Sequence, residues 1–316
     1  MSGKVVAIVV TYNPDKRILE ACLRQASKQT DKIIVVDNCS HNVSEIALLC
    51  KKYNCDLIKN AFNAGVPYAL QRGINHAQKY HPDWILFLDQ DCILFDGSVS
   101  KALSVYSSLP VSVRSRVGII ALGSKRSRER CSISETTYGV FSGTLIKNEL
   151  IKNIKLRENF FLYQADVELY KKTTENGKIN LLIDCKMMYH IIGTPLDIPF
   201  IFKLKRVIFN ILKIIGLKNL GTIQLPKQPD SKVIYETSYK YYYIVRNGVI
   251  LLKEDRKNII EFLLEILSFG LAVAYVEGFT KMLHSLCLGL AHGILGLEGI
   301  LEEKPLIKEG RTCNKT

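Results

Sequence analysis

The chain has 316 residues, of which 47% are hydrophobic and 23% are charged, so it can bury a substantial core and is not an intrinsically disordered protein. Lys and Arg number 43 against 30 Asp and Glu, and the net charge of +13 predicts an anionic partner: a nucleotide, a polynucleotide or an acidic membrane surface. The nine cysteines are irregularly spaced and include no C-x-x-C pair. That spacing excludes zinc-knuckle and thioredoxin-type motifs and favours reduced thiols in the cytosol.

Through about residue 195, short β-rich runs alternate with helix-length stretches. Continuous apolar strands separated by helices are typical of a mostly parallel α/β sheet that is covered on both faces. Asp15 is a candidate N-cap for the first helix, and further helices are predicted over 45–52 and 66–80. The predicted strands are Val5–Val10, Ile33–Val36, Asp56–Ile58, Trp84–Leu88 and Val117–Leu122.

Polar residues follow each of the first four predicted strands. In parallel sheets, ligands bind beyond the carboxyl ends of the strands, so these residues are expected to line one polar crevice. Asp37-Asn38 also has a simpler interpretation as a helix N-cap or an Asx-turn, and Asn63-Ala-Gly65 as a turn with Gly65 at positive φ. The residues are Asn13 and Asp15, then Asp37 and Asn38, then Asn63 and Gly65, then Asp89 and Asp91.

The sequence Asp89-Gln90-Asp91 ends the apolar fourth strand. Two carboxylates at this spacing can share a hard divalent cation and leave coordination sites open for diphosphate oxygens. A cation would also offset the cost of placing two acids at the end of a buried strand. The alternative is a solvated turn without a ligand.

Three more titratable residues are candidates for chemistry further along the chain. Asp166 and Glu168 stand at the predicted start of a helix, where an acid complements the helix dipole or serves as a general base. His190 is either a packing residue or, if the sheet brings it near Asp91, a metal ligand.

After Pro199 the composition changes, which predicts an α/β domain over 1–197 and a helical region over 198–316. In residues 200–218, Lys203, Arg206 and Lys213 fall on one face of a basic amphipathic helix suited to a membrane interface, or to packing on the domain. Residues 259–300 predict two amphipathic helices that either lie on a membrane or form a homo-oligomer interface. Charged residues interrupt this apolar stretch too often for a bilayer-spanning segment.

The segment 239–247 is rich in tyrosine and contains Arg246, a composition that can bind bases, stack on sugar rings or sit at a lipid interface. No RNA- or DNA-binding signature accompanies it, so a nucleic-acid partner is not expected. The chain also lacks a Walker loop, a G-x-G-x-x-G after the first strand and a G-x-S-x-G elbow. ATPase, dinucleotide dehydrogenase and α/β-hydrolase activities therefore lack their minimum parts.

An ordered series of motifs over roughly residues 5–250 resembles the family-2 glycosyltransferases of the GT-A fold, and within them the bacterial rhamnosyltransferases. The resemblance implies a Rossmann-like, mostly parallel central sheet with a C-terminal helical, amphipathic extension. Its motifs are Val9-Val-Thr-Tyr-Asn13, Ile34-Val-Val-Asp-Asn38-Cys-Ser40, Asn63-Ala-Gly65, Leu88-Asp-Gln-Asp91, Gly143, Phe161 through Glu168, Gly177, His190-Ile-Ile-Gly193 and Tyr242-Tyr-Ile-Val-Arg-Asn247.

The resemblance also implies roles for individual residues. Asp91 would ligate Mg²⁺ or Mn²⁺ together with the diphosphate, and His190 would complete the metal site. Asp89 would contact the nucleotide sugar beside the metal. Asp166 would be the catalytic base with Glu168 as the alternative, although Gln164 departs from the family pattern two residues earlier. The implied donor-binding residues are Thr11, Tyr12 and Asn13 in the nucleotide pocket, Asp37 on the base, and Asn38, Asn63, Gly65, Asp89, Gln90 and Arg246.

The activity so implied is an inverting transfer of a sugar, with rhamnose from dTDP-rhamnose favoured and UDP-sugars as alternatives. The implied acceptor is a polyprenyl-diphosphate-linked saccharide in cell-surface polysaccharide (O-antigen) biosynthesis, with the enzyme peripheral on the cytoplasmic face of the membrane. One alternative is a nucleotidyltransferase, although Thr11–Lys16 has no glycine for the usual phosphate loop. Another is a non-catalytic, membrane-associated nucleotide-binding scaffold.

Overall fold

A computed structural model describes residues 3–124, 131–190, 193–198, 200, 232–255 and 259–301. The chain divides into two compact units. The first comprises Met1–Phe161, Ala165–His190 and Ile300–Thr316, and the second comprises Leu162–Gln164 and Ile191–Gly299. The basic helix predicted over 200–218 lies outside the described residues.

The first unit contains a sheet with helices between its strands, as the alternation in the sequence predicts. Its strands are β1 (Val5–Thr11), β2 (Lys32–Asp37), β3 (Asp56–Lys59), β4 (Trp84–Asp89), β5 (Ile93–Leu94), β6 (Val117–Ser124), β7 (Ser132–Glu135), β8 (Thr144–Lys147) and β9 (Ile179–Tyr189). Its helices are α1 (Lys16–Ser27), α2 (Val43–Lys52), α3 (Val66–Ala77), α4 (Ser98–Ser108), α5 (Val111–Arg114), α6 (Asn148–Ile151) and α7 (Ala165–Glu175), with 3₁₀ turns at Gln78–Tyr80 and Glu158–Phe160.

Among the described residues, these nine strands form one sheet in the order β3-β2-β1-β4-β8-β6-β9-β5, with β7 also paired to β9. Strands β3, β2, β1 and β4 are mutually parallel, whereas β8 runs antiparallel to both β4 and β6. The strand order reverses at β1, with β2 and β3 on one side and β4 on the other. Such a switch point opens a crevice at the carboxyl ends of the strands.

The apolar runs of the sequence account for the core of this unit. β1 is buried along its whole length, β2 is buried except at its first residue, Lys32, and β4 is buried except at its last residue, Asp89. The Asp15 carboxylate caps α1 as predicted, because it accepts hydrogen bonds from the backbone N–H groups of Arg17 and Ile18 at 2.8 and 3.0 Å. The buried face of α1 consists of Leu19, Cys22, Leu23 and Ala26.

A disulfide joins Cys131, just before β7, to Cys185 on β9. The adjacent cross-strand pair is Ser132 with Asp184, so the antiparallel register places Cys131 and Cys185 opposite each other, with their Cα atoms 4.5 Å apart. The expectation of reduced thiols is therefore wrong for this pair.

The second unit has a two-stranded antiparallel sheet and three helices among its described residues. The elements are β10 (Thr194–Asp197), β11 (Lys232–Tyr235), α8 (Ser238–Glu254), α9 (Ile259–Glu277) and α10 (Phe279–Leu295). α10 lies close against α8 because Gly289 and Gly293 carry no side chain. A Cβ atom on Gly289 would lie 2.8 Å from Cβ of Val245. Within the described ranges, no helix has the length and apolar character needed to cross a membrane.

Candidate active site

Two carboxylates and one imidazole converge where β4 ends. The Nε2 atom of His190 lies 3.1 Å from Oδ2 of Asp89 and 3.7 Å from Oδ1 of Asp91, and one ligand atom from each residue fits within 4.8 Å of the others. The sheet accounts for this convergence, because Ile93 on β5 pairs with Tyr189 on β9 and so returns His190 to the Asp89–Asp91 turn. The juxtaposition of His190 and Asp91 that a metal ligand requires is therefore present.

The electrostatics of this cluster suit a cation. Burial lowers the pKa of His190, but the hydrogen bond that its ring donates to Asp89 and the negative charges of Asp89 and Asp91 outweigh that effect and raise the pKa above its ordinary value. A positive charge is thus favoured between the imidazole of His190 and the carboxylates of Asp89 and Asp91. Two carboxylate oxygens and one imidazole nitrogen form a donor set that fits Mn²⁺, and Mg²⁺ with the addition of water or phosphate oxygens.

Gln90 connects this turn to the end of β1. Its Oε1 accepts a hydrogen bond from the backbone N–H of Tyr12 at 2.8 Å, and its Nε2 donates to the carbonyl oxygen of Tyr12 at 3.3 Å. Tyr12 is 48% exposed. Gln90 therefore fixes the backbone that presents an accessible aromatic face beside the acidic turn.

The loop after β2 is organised around the carboxylate of Asp37, which is only 1% exposed. Its oxygens accept hydrogen bonds from Oγ1 of Thr11 at 2.9 Å, from the backbone N–H of Ser40 at 3.0 Å, and from the Ser40 hydroxyl. The backbone N–H of Asn13 donates to Oγ of Ser40, and Oδ1 of Asn13 accepts from the backbone N–H of His41. These contacts hold the ends of β1 and β2 together as one rigid rim.

A chain of amides continues the rim toward β3. Nδ2 of Asn38 donates to the carbonyl oxygen of Gly65 at 3.0 Å, and Oδ1 of Asn38 accepts from Nδ2 of Asn60. Oδ1 of Asn63 accepts a hydrogen bond from the backbone N–H of Gly65 at 3.1 Å, which is the pattern of an Asx-turn. Gly65 has a φ of +90°, and a Cβ there would lie 2.4 Å from the carbonyl oxygen of Phe161. Only glycine fits this position.

Asp166 is the second residue of α7 and is partly exposed. Burial, with a contribution from the negative charge of Asp89, raises its pKa to about 6, against backbone hydrogen bonds that lower it. Glu168 differs, because its side chain is only 8% exposed and is paired with two cations. Its Oε1 atom lies 3.2 Å from Nζ of Lys172 and 3.7 Å from a guanidinium nitrogen of Arg157. Two cations already neutralise Glu168, so Asp166 is the better candidate for a proton acceptor.

Arg246 lies in the second unit and is 1% exposed. Its Nε donates to Oδ1 of Asn247 at 2.8 Å, one terminal nitrogen donates to the carbonyl oxygen of Gly299 at 2.6 Å, and the guanidinium stacks 4.8 Å from the ring of Tyr243. Tyr241, Tyr242 and Tyr243 are buried in the same helix, α8. The aromatic segment is therefore core rather than an exposed stacking surface at these three positions, and the donor-binding role of Arg246 stays a prediction.

Sequence reasoning missed residues that act only through contacts with distant parts of the chain. Ser40 is the last residue of the motif that begins at Ile34. Its signal in the sequence is a hydroxyl side chain three residues after Asp37. Asn60 and Arg72 follow no motif; Arg72 donates to Oδ1 of Asn60 and to the carbonyl oxygen of Lys59. Their role depends on the pairing of β2 with β3 and is visible only in the fold.

Comparisons with known proteins agree with this architecture. Residues 6–165 match the model for glycosyl transferase family 2, which is half of the chain. The chain is 22% identical over 329 residues to the dTDP-rhamnosyl transferase RfbF of Shigella flexneri, covering 95% of this chain and 98% of the relative. The structure of mannosyltransferase PcManGT from Pyrobaculum calidifontis, in complex with GDP-Man and Mn²⁺, is 15% identical, covers 94% of this chain and 89% of its own, and has a TM-score of 0.51. That likeness shows the GT-A fold, and the chain belongs to glycosyl transferase family 2 and is a glycosyltransferase.

Proposed function

We propose that this glycosyltransferase moves rhamnose from dTDP-rhamnose to a lipid-linked saccharide, by a metal-dependent reaction that inverts the anomeric centre. The observation that carries the proposal is the convergence of Asp89, Asp91 and His190 at the switch point of the sheet. Similarity over almost the whole length of a dTDP-rhamnosyl transferase supports the choice of donor.

The metal would be held by Asp91 and His190, with Asp89 beside it. When bound, it supplies positive charge that stabilises the departing nucleoside diphosphate. The imidazole in the donor set favours Mn²⁺ over the harder Mg²⁺, which prefers oxygen ligands. The Mn²⁺ in the structure of the mannosyltransferase supports the same choice.

The donor nucleotide would lie along the rim formed by the ends of β1, β2 and β3. The exposed ring of Tyr12 offers a face for stacking the base, and Gln90 fixes that ring through the backbone. Backbone groups in the loop that Asp37 organises would contact the base and ribose. The further donor-binding residues of the proposal are Thr11, Asn13, Asn38, Asn63, Gly65 and Asp89.

Asp166 would act as the general base. Its carboxylate takes the proton of the acceptor hydroxyl as that oxygen attacks the anomeric carbon from the face opposite the diphosphate. One glycosidic C–O bond forms while the C–O bond to the diphosphate breaks, and the electron pair leaves with the diphosphate. This single displacement inverts the configuration and needs no covalent enzyme intermediate.

A polyprenyl-diphosphate-linked acceptor would require the enzyme to work at the cytoplasmic face of a membrane. Large apolar side chains are exposed around the connection between α9 and α10: Tyr275, Val276, Phe279 and Leu283. Exposed apolar side chains on a chain with a net charge of +13 suit peripheral attachment to an anionic bilayer. An interface between copies of the chain is the alternative use of this surface.

The test is a donor screen that measures nucleoside diphosphate release from dTDP-, UDP- and GDP-sugars with Mn²⁺, with Mg²⁺ and with EDTA. We expect dTDP release from dTDP-rhamnose with Mn²⁺, abolished by EDTA and by Asp91→Asn. Asp96→Asn removes an exposed acid five residues away and is the matched control that should retain activity. Turnover that survives both EDTA and Asp91→Asn would refute the metal site, and release of pyrophosphate from nucleoside triphosphates would indicate a nucleotidyltransferase.

A further inference from the structure

The turn that precedes α7 has an unusual backbone. Phe161, Tyr163 and Gln164 have φ angles of +61°, +61° and +65°, in the left-handed region that residues other than glycine rarely adopt. Three such residues within four positions form a strained segment that surrounding contacts must hold in place. The next residues along the chain are Ala165, where α7 begins, and Asp166.

Asn247 on α8 supplies those contacts from within the second unit, to which Leu162–Gln164 also belongs. Its Nδ2 donates to the carbonyl oxygen of Leu162 at 2.7 Å and to that of Tyr163 at 3.1 Å, and the residue is 0% exposed. A buried amide that satisfies two consecutive carbonyls fixes the path of the backbone between them.

The orientation of this amide is itself determined. Oδ1 of Asn247 accepts from Nε of Arg246, which is always a donor, so Nδ2 must face the two carbonyls. Arg246 in turn is held by the carbonyl oxygen of Gly299 and by the ring of Tyr243. Nε2 of Gln164 adds a second tether, because it donates to Oε2 of Glu265 on α9 at 2.9 Å.

We propose that Asn247 is a positioning residue that holds the Leu162–Gln164 turn and, through it, the start of the helix that carries Asp166. The inference rests on the proposed function, because it requires Asp166 to be the base. It gives the Arg246-Asn247 pair of the tyrosine-rich motif a purpose distinct from donor binding. A general base must be held close to its productive position, and a displacement of about 1 Å can cost a hundredfold in rate.

A double-mutant cycle tests the proposal, with Asn247→Asp introduced into the wild-type chain and into Asp166→Asn. Asp at position 247 keeps the size of the side chain but cannot donate to the two carbonyls. We expect kcat for dTDP release to fall about a hundredfold in the wild-type background and by less than about threefold in the Asp166→Asn background. Affinity for dTDP with Mn²⁺, measured by calorimetry, should stay within about threefold of the wild-type value.

Two further variants keep the cycle decisive. Gln164→Glu disturbs the same turn by opposing Glu265, and should show a smaller loss of kcat with the same dependence on Asp166. Asn148→Ala removes a buried amide at α6 that accepts from Nε2 of Gln78, and as the matched control it should change kcat by the same factor in both backgrounds.

If Asn247→Asp lowered kcat by the same factor in both backgrounds, the proposal would be overturned and Asn247 would have only a structural role. The assignment of Asp166 as the base would stand. A parallel loss of dTDP affinity would overturn the proposal as well. If Asp166→Asn alone retained wild-type kcat, the base assignment would fail and this inference would fail with it.

Discussion

Asp166 and Glu168 are two residues apart on one helix, yet their surroundings give them different chemistry. Glu168 is neutralised by Lys172 and Arg157, whereas no Lys or Arg among the described residues forms an ion pair with Asp166, which feels the negative charge of Asp89. A carboxylate with a raised pKa binds a proton more readily, which is the property that a general base needs. The neighbouring charges, rather than the type of acid, thus distinguish Asp166, the proposed base, from Glu168.

The substitution Asp166→Asn should lower kcat strongly and stabilise the metal-free fold. The folded-state pKa of about 6 lies above the ordinary 3.8, so the folded chain binds more protons between these values and wild-type stability falls as pH rises through them. The variant removes this penalty, and in EDTA at pH 7.5 we expect it to melt a few degrees above wild type. The gain should disappear near pH 4, and kcat should fall by roughly 10²- to 10⁴-fold.

Thermal melts of both proteins in EDTA across this pH range check the stability half of that prediction. A variant that melts below the wild type at pH 7.5, or a difference that does not change with pH, would show that the carboxylate of Asp166 is not destabilised by its site.

Gln90 should control nucleotide affinity without touching the nucleotide. Gln90→Leu removes both hydrogen bonds to the backbone of Tyr12, and we expect the Kd for dTDP to rise about tenfold. Gln71→Leu is the matched control, because Gln71 also accepts from a backbone N–H, that of Leu156, away from the rim. Calorimetric titration of dTDP into each variant checks this, and equal affinities for the two would contradict it.

At the scale of elements, packing in the second unit depends on residues without side chains. Gly289 on α10 lets the helix approach α8 so closely that a Cβ would lie 2.8 Å from Cβ of Val245 and 3.0 Å from the carbonyl oxygen of Tyr242. Because the carbonyl oxygen of Tyr242 is part of the helix backbone, it cannot move away from an added Cβ as easily as a flexible side chain could. Gly289, together with Gly293, thus sets the separation of α8 and α10.

Gly289→Ala should therefore lower the free energy of unfolding by about 1–3 kcal/mol, although alanine favours helix formation more than glycine does. Ala291→Ser on the exposed face of α10 is the control, with an expected change within about 0.5 kcal/mol. Urea unfolding monitored by circular dichroism measures both, and a Gly289→Ala variant as stable as wild type would show that α8 and α10 separate without cost.

The sequence predicts the first four strands and the convergence of Asp89, Asp91 and His190, because long apolar runs such as Val5–Val10 form buried strands and the polar residues after parallel strands share one edge. It does not predict β5, β7, β8, β9, β10 or β11. All of these except β9 have two to four residues, which is too short to carry a periodic pattern, and they form through pairing with other strands. The Cys131–Cys185 disulfide depends on the register of β7 against β9. The role of Asn247 depends on its hydrogen bonds to the backbone of Leu162 and Tyr163, which lie 85 and 84 residues earlier in the chain.

At the scale of the whole molecule, a net charge of +13 coexists with an apolar surface around the connection of α9 to α10. Positive charge draws a protein to anionic lipid, and apolar side chains then enter the interface. Together these features support the proposed work on a lipid-linked acceptor.

Flotation with vesicles that contain anionic lipid should therefore recover the chain at low salt, and less of it at high salt. Phe279→Ser should lower the bound fraction, since it removes an apolar side chain that is 65% exposed. Val111→Ser, which removes a 70% exposed apolar side chain from the first unit, is the control and should bind as wild type. Equal losses for the two variants, or no binding at low salt, would refute this attachment.

The most direct test of the account is a calorimetric titration of Mn²⁺ into the chain with saturating dTDP at pH 7.5. We predict one Mn²⁺ bound per chain, with binding lost in Asp91→Asn and in His190→Ala and retained in Asp96→Asn. Mn²⁺ binding that both Asp91→Asn and His190→Ala leave intact would contradict the central claim that the turn after β4 and the end of β9 together hold the catalytic cation.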